Sequence, residues 1–196
     1  MNKGLILITG ALGRIGSSLA AHWRDRECRL LDRPDGDLTG YDVGWTERFA
    51  GVGTVVHLAA DPDPASPFES AAAGNIAATL NVLRASAEHG VARFIYASSV
   101  WADYERWRLA PTMTWYAASK ISGEALVQAW ADQLRRPAIC LRFGFFDPAV
   151  ARAHPNAETH RLTERALAFH LDEALAWSEP SCSVRYAIGD LPPQGR

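Results

Sequence analysis

The stretch Leu5-Ile6-Leu7-Ile8-Thr9-Gly10-Ala11-Leu12-Gly13-Arg14-Ile15-Gly16 decides the fold. Four consecutive apolar residues without polar alternation read as a strand buried on both faces, the pattern of a parallel sheet covered by helices. A glycine-rich turn follows, and Ile15, Leu19 and Trp23 then recur at helical spacing, so the order is strand, loop, helix. The alternation repeats outward along the chain. Leu30-Leu31 precede Asp32, TVVHLAA spans 54–60, a helical stretch covers about 74–88 and RFIYASS spans 93–99. A further helix over about 117–134 and the strand AICLRF at 138–143 continue the series. Buried runs separated by helices predict an α/β fold with a doubly wound parallel sheet.

After Arg142 the character changes. FGFFDPAVARAHPNAETH (143–160) reads as a loop broken by Pro148 and Pro155, Leu162 to Trp177 as an amphipathic helix, CSVRYAI (182–188) as a strand, and GDLPPQGR as patternless. No repeat or linker separates these parts, so residues 1–196 are expected to form one domain, with 144–196 a small appendage. The chain has 196 residues, 48% hydrophobic and 21% charged, with a net charge of −2. That balance suits a compact globule and offers no electrostatic footprint for nucleic acid or an anionic membrane. Cys28, Cys140 and Cys182 are odd in number and far apart, so no disulfide framework or metal pair is expected, and the thiols are read as reduced. The N-terminal apolar run reaches glycine after six residues, too short for a leader or a membrane span, which points to the cytoplasm.

Gly10, Gly13 and Gly16 have GxxGxxG spacing at the end of the first strand. Glycine admits positive φ and close backbone approach, while the helix that follows aims free N–H groups and a positive dipole end at an anion. Together these would hold a pyrophosphate against Gly10, Gly13, Arg14, Ile15 and Gly16; the bland alternative is an ordinary tight turn. Roughly twenty residues on, Asp32 ends the second strand, where a carboxylate can accept bonds from ribose hydroxyls and repel a 2′-phosphate. This favours NAD over NADP. Arg33 either offsets that repulsion or is simply solvated, and Asp42 in YDVG is either a partner for the adenine amino group or a turn cap.

Within WYAASK (115–120), Tyr116 and Lys120 are i and i+4 and share one helix face. A free tyrosine, with a pKa near 10, is a poor base at neutral pH. A neighbouring ammonium and the positive ring of an oxidised nicotinamide would favour the phenolate. Without that context the pair would be an aromatic beside a solvated cation. Ser98-Ser99 at the end of the 93–99 strand supply the context.

These residues resemble the short-chain dehydrogenase/reductases, in the extended branch also called the NAD-dependent epimerase/dehydratase family. The likeness rests on TGALGRIG at 9–16, Asp32, Asp42, HLAA at 57–60, GNI at 74–76, YASS at 96–99, Tyr116 with Lys120, and LRFGFF at 141–146. It implies a Rossmann-like doubly wound parallel sheet with a short C-terminal substrate cap and NAD as cofactor. It further implies that Ser99 hydrogen-bonds the substrate oxygen, with Ser98 nearer the cofactor. Val43 beside Asp42, and Leu58, Ala59 and Ala60 of HLAA, would lie along the cofactor. Asn75 would support the cofactor side of the strand; otherwise it is a polar helix start. Lys120 would also hold the nicotinamide ribose.

Among sugar-acid members, the uronate dehydrogenases look similar over PFES…GNIAATLNVLRASAEHG and over the final helix and strand. That likeness places Arg142, Asp147 and the helix from Leu162 at the substrate cap. The sequence departs from them at Val100-Trp101 and Phe145-Phe146, where buried sugar hydroxyls would lose about 1–3 kcal/mol each if unpaired. Arg152 and Arg161 are either anchors for a substrate carboxylate or surface cations. Trp101, Trp107, Trp115 and Phe145 either line a pocket or pack the cap. The expected activity is NAD-dependent oxidation or reduction at a small sugar, sugar acid or related alcohol. A sugar epimerase or dehydratase, or a non-catalytic dinucleotide sensor, are the alternatives. A homodimer through the Tyr-Lys helix would use Ala125, Leu126 and Trp130, which core packing explains equally well.

Overall fold

The apolar run that opens the chain is β1 (Leu5–Thr9), flanked on both sides within a six-stranded sheet. The computed structural model describes residues 4–146 and 160–189. After β1 come α1 (Arg14–His22), β2 (Cys28–Leu31), α2 (Val43–Thr46), β3 (Val52–His57), α3 (Phe68–Ala71), α4 (Ala78–Glu88) and β4 (Arg93–Ser99). The series continues with α5 (Tyr104–Trp107), α6 (Trp115–Leu134), β5 (Ala138–Phe143), α7 (Glu164–Ala176) and β6 (Cys182–Ala187). Strand order is β2-β1-β3-β4-β5-β6, and every neighbouring pair is parallel.

Successive strand side chains point to opposite faces, so each strand feeds two cores. Leu7, Val55, Phe94 and Cys140 pack with Val82 of α4 and with Val127 and Trp130 of α6. Ile8, Val56, Ile95 and Leu141 pack on the other face with Leu19, Trp23 and, from α7, Leu167 and Leu171. Burial on both faces is why the strands read as continuous apolar runs. This is the Rossmann-like α/β fold that the alternation predicts.

The winding reverses between β1 and β3, because β2 lies to one side of β1 and everything later to the other. A crevice opens at such a switch point, beyond the carboxyl ends of the strands. Three local features shape it. β3 stops at His57, so Leu58-Ala59-Ala60 form a loop rather than the end of a strand. The helix expected from about 74 begins at Phe68, and a π-helical stretch, Ala72–Ala77, joins α3 to α4. The last helix and strand are built into the body: β6 pairs with β5, and Asp172 of α7 accepts from Trp23 Nε1 at 2.9 Å and Arg26 at 3.1 Å. Cys140 and Cys182, remote in sequence, bring their sulfurs to 3.7 Å across β5 and β6 as free thiols. Asp147 and Arg152 lie outside the described residues.

Candidate active site

Gly10, at the end of β1, has φ of +70°, and a Cβ there would come within 2.6 Å of the Ala59 nitrogen. A Cβ on Gly16 would come within 2.3 Å of the Gly10 carbonyl oxygen, so both positions are closed to any side chain. Gly13 forms the N-cap of α1 without a side-chain hydrogen bond, and no acidic residue sits in the helix's first turn. The free N–H groups and positive end of α1 are thereby left for an anion. The three glycines, Arg14 and Ile15 line one wall of a cleft of about 930 Å³; Leu58, Ala59 and Ala60 line another. At the end of β2, the Asp32 carboxylate accepts the Leu12 and Arg33 amides at 2.7 Å each, and the Asp35 carboxylate accepts the Asp32 amide at 3.0 Å. This reciprocal capping box holds Asp32 in the lining beside the cradle. A turn closed to side chains at Gly10 and Gly16, an uncapped helix N-terminus and a strand-end carboxylate suit the pyrophosphate and ribose of a dinucleotide.

Asp42 and Val43 are not brought to the cleft. Asp42 caps α2, accepting the Gly44 amide at 2.5 Å, and Val43 is 72% exposed. The turn-cap alternative therefore describes Asp42. Asp37 and Leu38 line the cleft instead. The Asp37 carboxylate accepts the Thr39 amide at 2.9 Å, and Leu38 is buried in the core. An acidic residue followed by an apolar one occurs at both 37–38 and 42–43, so sequence pattern alone does not separate the two.

Thr114 caps α6, accepting the Ala117 amide at 3.1 Å, and the helix then buries Tyr116 and Lys120 on one face. Lys120 Nζ donates to the Ala97 carbonyl at 2.9 Å and lies 5.7 Å from the Tyr116 ring centre. Burial lowers the Lys120 pKa to about 8, opposed by the charges of Glu124 and Asp61. Burial raises the Tyr116 phenol, opposed by a hydrogen bond with the Ser99 side chain and reinforced by the Asp61 charge. The two serines divide their work. Ser99 accepts the Trp101 amide at 3.3 Å and meets Tyr116, whereas Ser98 donates to Glu124 Oε1 at 2.5 Å.

Asn75 lies behind the cleft wall in the π-helical stretch, where such irregular turns often mark functional sites. Its Oδ1 accepts the Asp61 amide at 2.7 Å, and its Nδ2 donates to Ser119 Oγ at 2.9 Å. It stands in a longer relay. Thr9 Oγ1 meets His57 Nδ1 at 2.7 Å, His57 Nε2 meets Thr79 Oγ1 at 3.1 Å, and Thr79 donates to the Asn75 carbonyl at 2.6 Å. Ser119 in turn donates to the Tyr116 carbonyl at 2.8 Å. Because Thr79 spends its proton on Asn75, the network assigns the His57 proton to Nε2. The relay joins the end of β1 to the helix of Tyr116.

At the far end of the cleft, Trp101, Phe145 and Phe146 line the wall. Trp107 instead packs against His160 and Tyr186, and Trp115 is 57% exposed on the surface beside Phe68. Arg142 is committed: its Nε and Nη2 each donate to the Glu124 carboxylate at 2.8 Å, and Nη1 pairs with Asp103 at 3.0 Å. Tyr186 donates to the same Asp103 carboxylate. Sequence reasoning missed Asp61, which lines the cleft and carries no motif. Burial pushes its carboxyl up, but hydrogen bonds from Ser70 and the Asp63 amide, together with the Arg33 charge, outweigh this and hold it below the ordinary range. On α6, Trp130 is buried in the core and Leu126 packs against it, while Ala125 is exposed. No helix among the described residues is long and apolar enough to cross a membrane.

A family model described as the NAD dependent epimerase/dehydratase family matches residues 6–182. The NAD-dependent glucose-6-phosphate dehydrogenase of Haloferax volcanii is 30% identical over 226 aligned positions, covering 94% of this chain and 85% of that protein. The L-arabinose 1-dehydrogenase (NAD(P)(+)) of the same organism is 30% identical over 169 positions, covering 71% and 66%. Among solved structures, a mutant uronate dehydrogenase from Agrobacterium tumefaciens complexed with NAD superposes with a TM-score of 0.76 at 21% identity, covering 94% of this chain and 77% of that one.

Proposed function

The chain belongs to the NAD-dependent epimerase/dehydratase family, and from that premise we propose that it is an NAD-dependent oxidoreductase. It acts on a hydroxyl or carbonyl of a small sugar, sugar acid or related alcohol. The observation that carries this reading is the convergence of Ser99, Tyr116 and Lys120 in a cleft that also contains the glycine cradle. Gly10, Gly13, Arg14, Ile15, Gly16 and Asp32 hold the dinucleotide, with Leu58, Ala59 and Ala60 along it and Asp37-Leu38 in the role first read for Asp42-Val43. NAD supplies the hydride acceptor. Ser99 orients the substrate oxygen and Tyr116 takes its proton, which for a phenol requires the phenolate. Lys120 holds positive charge beneath Tyr116 and is available to the ribose, while Asn75 positions both walls through Asp61 and Ser119. A non-catalytic sensor would have no use for the Ser99–Tyr116 pair.

In the same reading, residues 1–196 act as one unit in which 144–196 supply a reduced substrate cap, beginning with Phe145-Phe146. The three thiols suit a reducing compartment, the cytoplasm. A homodimer would use the outer faces of α4 and α6, where Leu80, Ile121 and Ala125 are exposed; sedimentation at micromolar concentration tests it.

NAD is expected to raise the melting temperature, and Tyr116→Phe to abolish turnover while keeping that shift. If neither NAD nor NADP gives a shift, the cofactor assignment fails. If Tyr116→Phe still turns over, the proton-transfer role fails.

A further inference from the structure

We propose that Asp103 is a positioning residue for the reaction: from behind the cleft wall it fixes the turn that carries Trp101 against Tyr116. The proposal rests on the oxidoreductase reading above and adds to it the residue that sets the substrate-side wall.

The residues from Ser98 to Asp103 form a short bridge at the reacting end of the cleft. Ser99, at the end of β4, accepts the Trp101 amide at 3.3 Å and starts a 3-10 turn, Val100–Ala102. The turn brings the Trp101 ring edge-on to Tyr116, with ring centres 6.4 Å apart, and both residues line the cleft. A 3-10 turn this short is a weak element, so its placement depends on what holds its ends.

Both ends reach one ion pair. Ser98 Oγ donates to Glu124 Oε1 at 2.5 Å. The Arg142 guanidinium holds the same carboxylate through Nε and Nη2 at 2.8 Å each, and its Nη1 pairs with Asp103 Oδ2 at 3.0 Å. Tyr186 of β6 donates to that same Oδ2, and its ring stands edge-on to Trp107 at 5.9 Å. The path Ser98, Glu124, Arg142, Asp103 therefore closes into a ring whose covalent side is the backbone of the bridge. The side chains of Glu124, Arg142 and Asp103 are 11%, 18% and 24% exposed, so these charge-assisted bonds are little screened by solvent. Only a planar fork can hold two carboxylates in fixed directions at once, which is the use of arginine at 142.

The plain alternative for Asp103 is a helix cap, since it stands at the N-cap of α5 and aspartate is favoured there. Its side chain makes no capping hydrogen bond. The carboxylate turns to Arg142 and Tyr186 instead, so it secures the end of the Trp101 turn rather than the start of the helix.

The test uses the full chain with NAD and whichever of D-glucose, D-glucose 6-phosphate, L-arabinose and D-glucuronate it turns over fastest. Asp103→Ala is expected to lower kcat/KM at least about tenfold, with NAD affinity in calorimetric titration unchanged. Tyr186 and Arg142 both meet Oδ2, so the amide oxygen of Asp103→Asn can accept both bonds, and that variant should stay closer to the unmodified protein than to Asp103→Ala. Because Asp103 acts through Trp101, adding Asp103→Ala to Trp101→Ala should lower kcat/KM at least about threefold less than Asp103→Ala does alone. An unchanged kcat/KM in Asp103→Ala, a matching fall in NAD affinity, an Asp103→Asn as impaired as Asp103→Ala, or two substitutions whose effects simply multiply would overturn the proposal while leaving the oxidoreductase reading intact. No turnover of any of the four sugars would overturn both.

Discussion

Lys120 is an ammonium with no exposed surface to speak of, and its pKa falls from 10.5 to about 8 because burial penalises the charge. That difference corresponds to about 3 kcal/mol. The sign follows from proton binding: the unfolded chain holds this proton more tightly, so the penalty is full below pH 8 and is relieved as pH rises from 8 towards 10.5. Lys120→Met removes it but strands the Ala97 carbonyl, which returns about 1–3 kcal/mol. The variant is expected to be inactive yet more stable at pH 7 by about 1–2 kcal/mol in urea titrations; a less stable variant would contradict the assignment. At this scale legibility depends on what forces a residue's identity. Gly10 and Gly16 were readable because no side chain fits there, and Tyr116 with Lys120 because their chemistry is specific. Asp61 was not, because its place in the cleft wall depends on Ser70 and Asn75 folding around it. Between the two readings of Asp42 the sequence could not choose, because the loop between Asp32 and α2 sets which acidic residue turns to the cleft: Asp42 caps α2 and Asp37 lines the wall.

The continuous helical path from Phe68 to Glu88 shows what periodicity can and cannot reveal. Apolar spacing locates α4, but the π-helical stretch at Ala72–Ala77 leaves no sequence mark, because its cause is tertiary: Asn75 must reach both Asp61 and Ser119. Asn75→Ala leaves the Asp61 amide and the Ser119 hydroxyl short of a partner. A loss of about 1–3 kcal/mol is expected on urea unfolding, with a fall in kcat larger than that in NAD affinity. If kcat is untouched, the positioning role of Asn75 is wrong. The strands β1, β3, β4 and β5 were legible as elements for a simpler reason, since both faces of each are covered. The last helix and strand were legible as elements too, but their integration into the sheet was not, because it depends on partners such as Trp23 and Asp172 lying 149 residues apart.

Across the whole molecule, the relay through His57 ties acid stability to the middle of the sheet. Burial lowers the His57 pKa to about 3, with the Lys120 charge adding to the effect. The native state thus keeps this imidazole neutral where the unfolded chain protonates it, so stability is lost as pH falls from 6.5 towards 3. Between pH 7 and pH 5.5 the loss from this group alone is expected to be about 1 kcal/mol, read from urea midpoints, and His57→Gln should flatten that slope. A slope unchanged by the substitution would place the acid sensitivity elsewhere. The relay also has a consequence for brine. From Thr9 to the Tyr116 carbonyl it joins only groups without net charge, so dissolved ions find nothing in it to screen. The spacing between the glycine turn and the tyrosine should therefore persist as ionic strength climbs, so concentrated salt would weaken exposed ion pairs such as Arg84 with Glu88 well before it loosens the cleft itself.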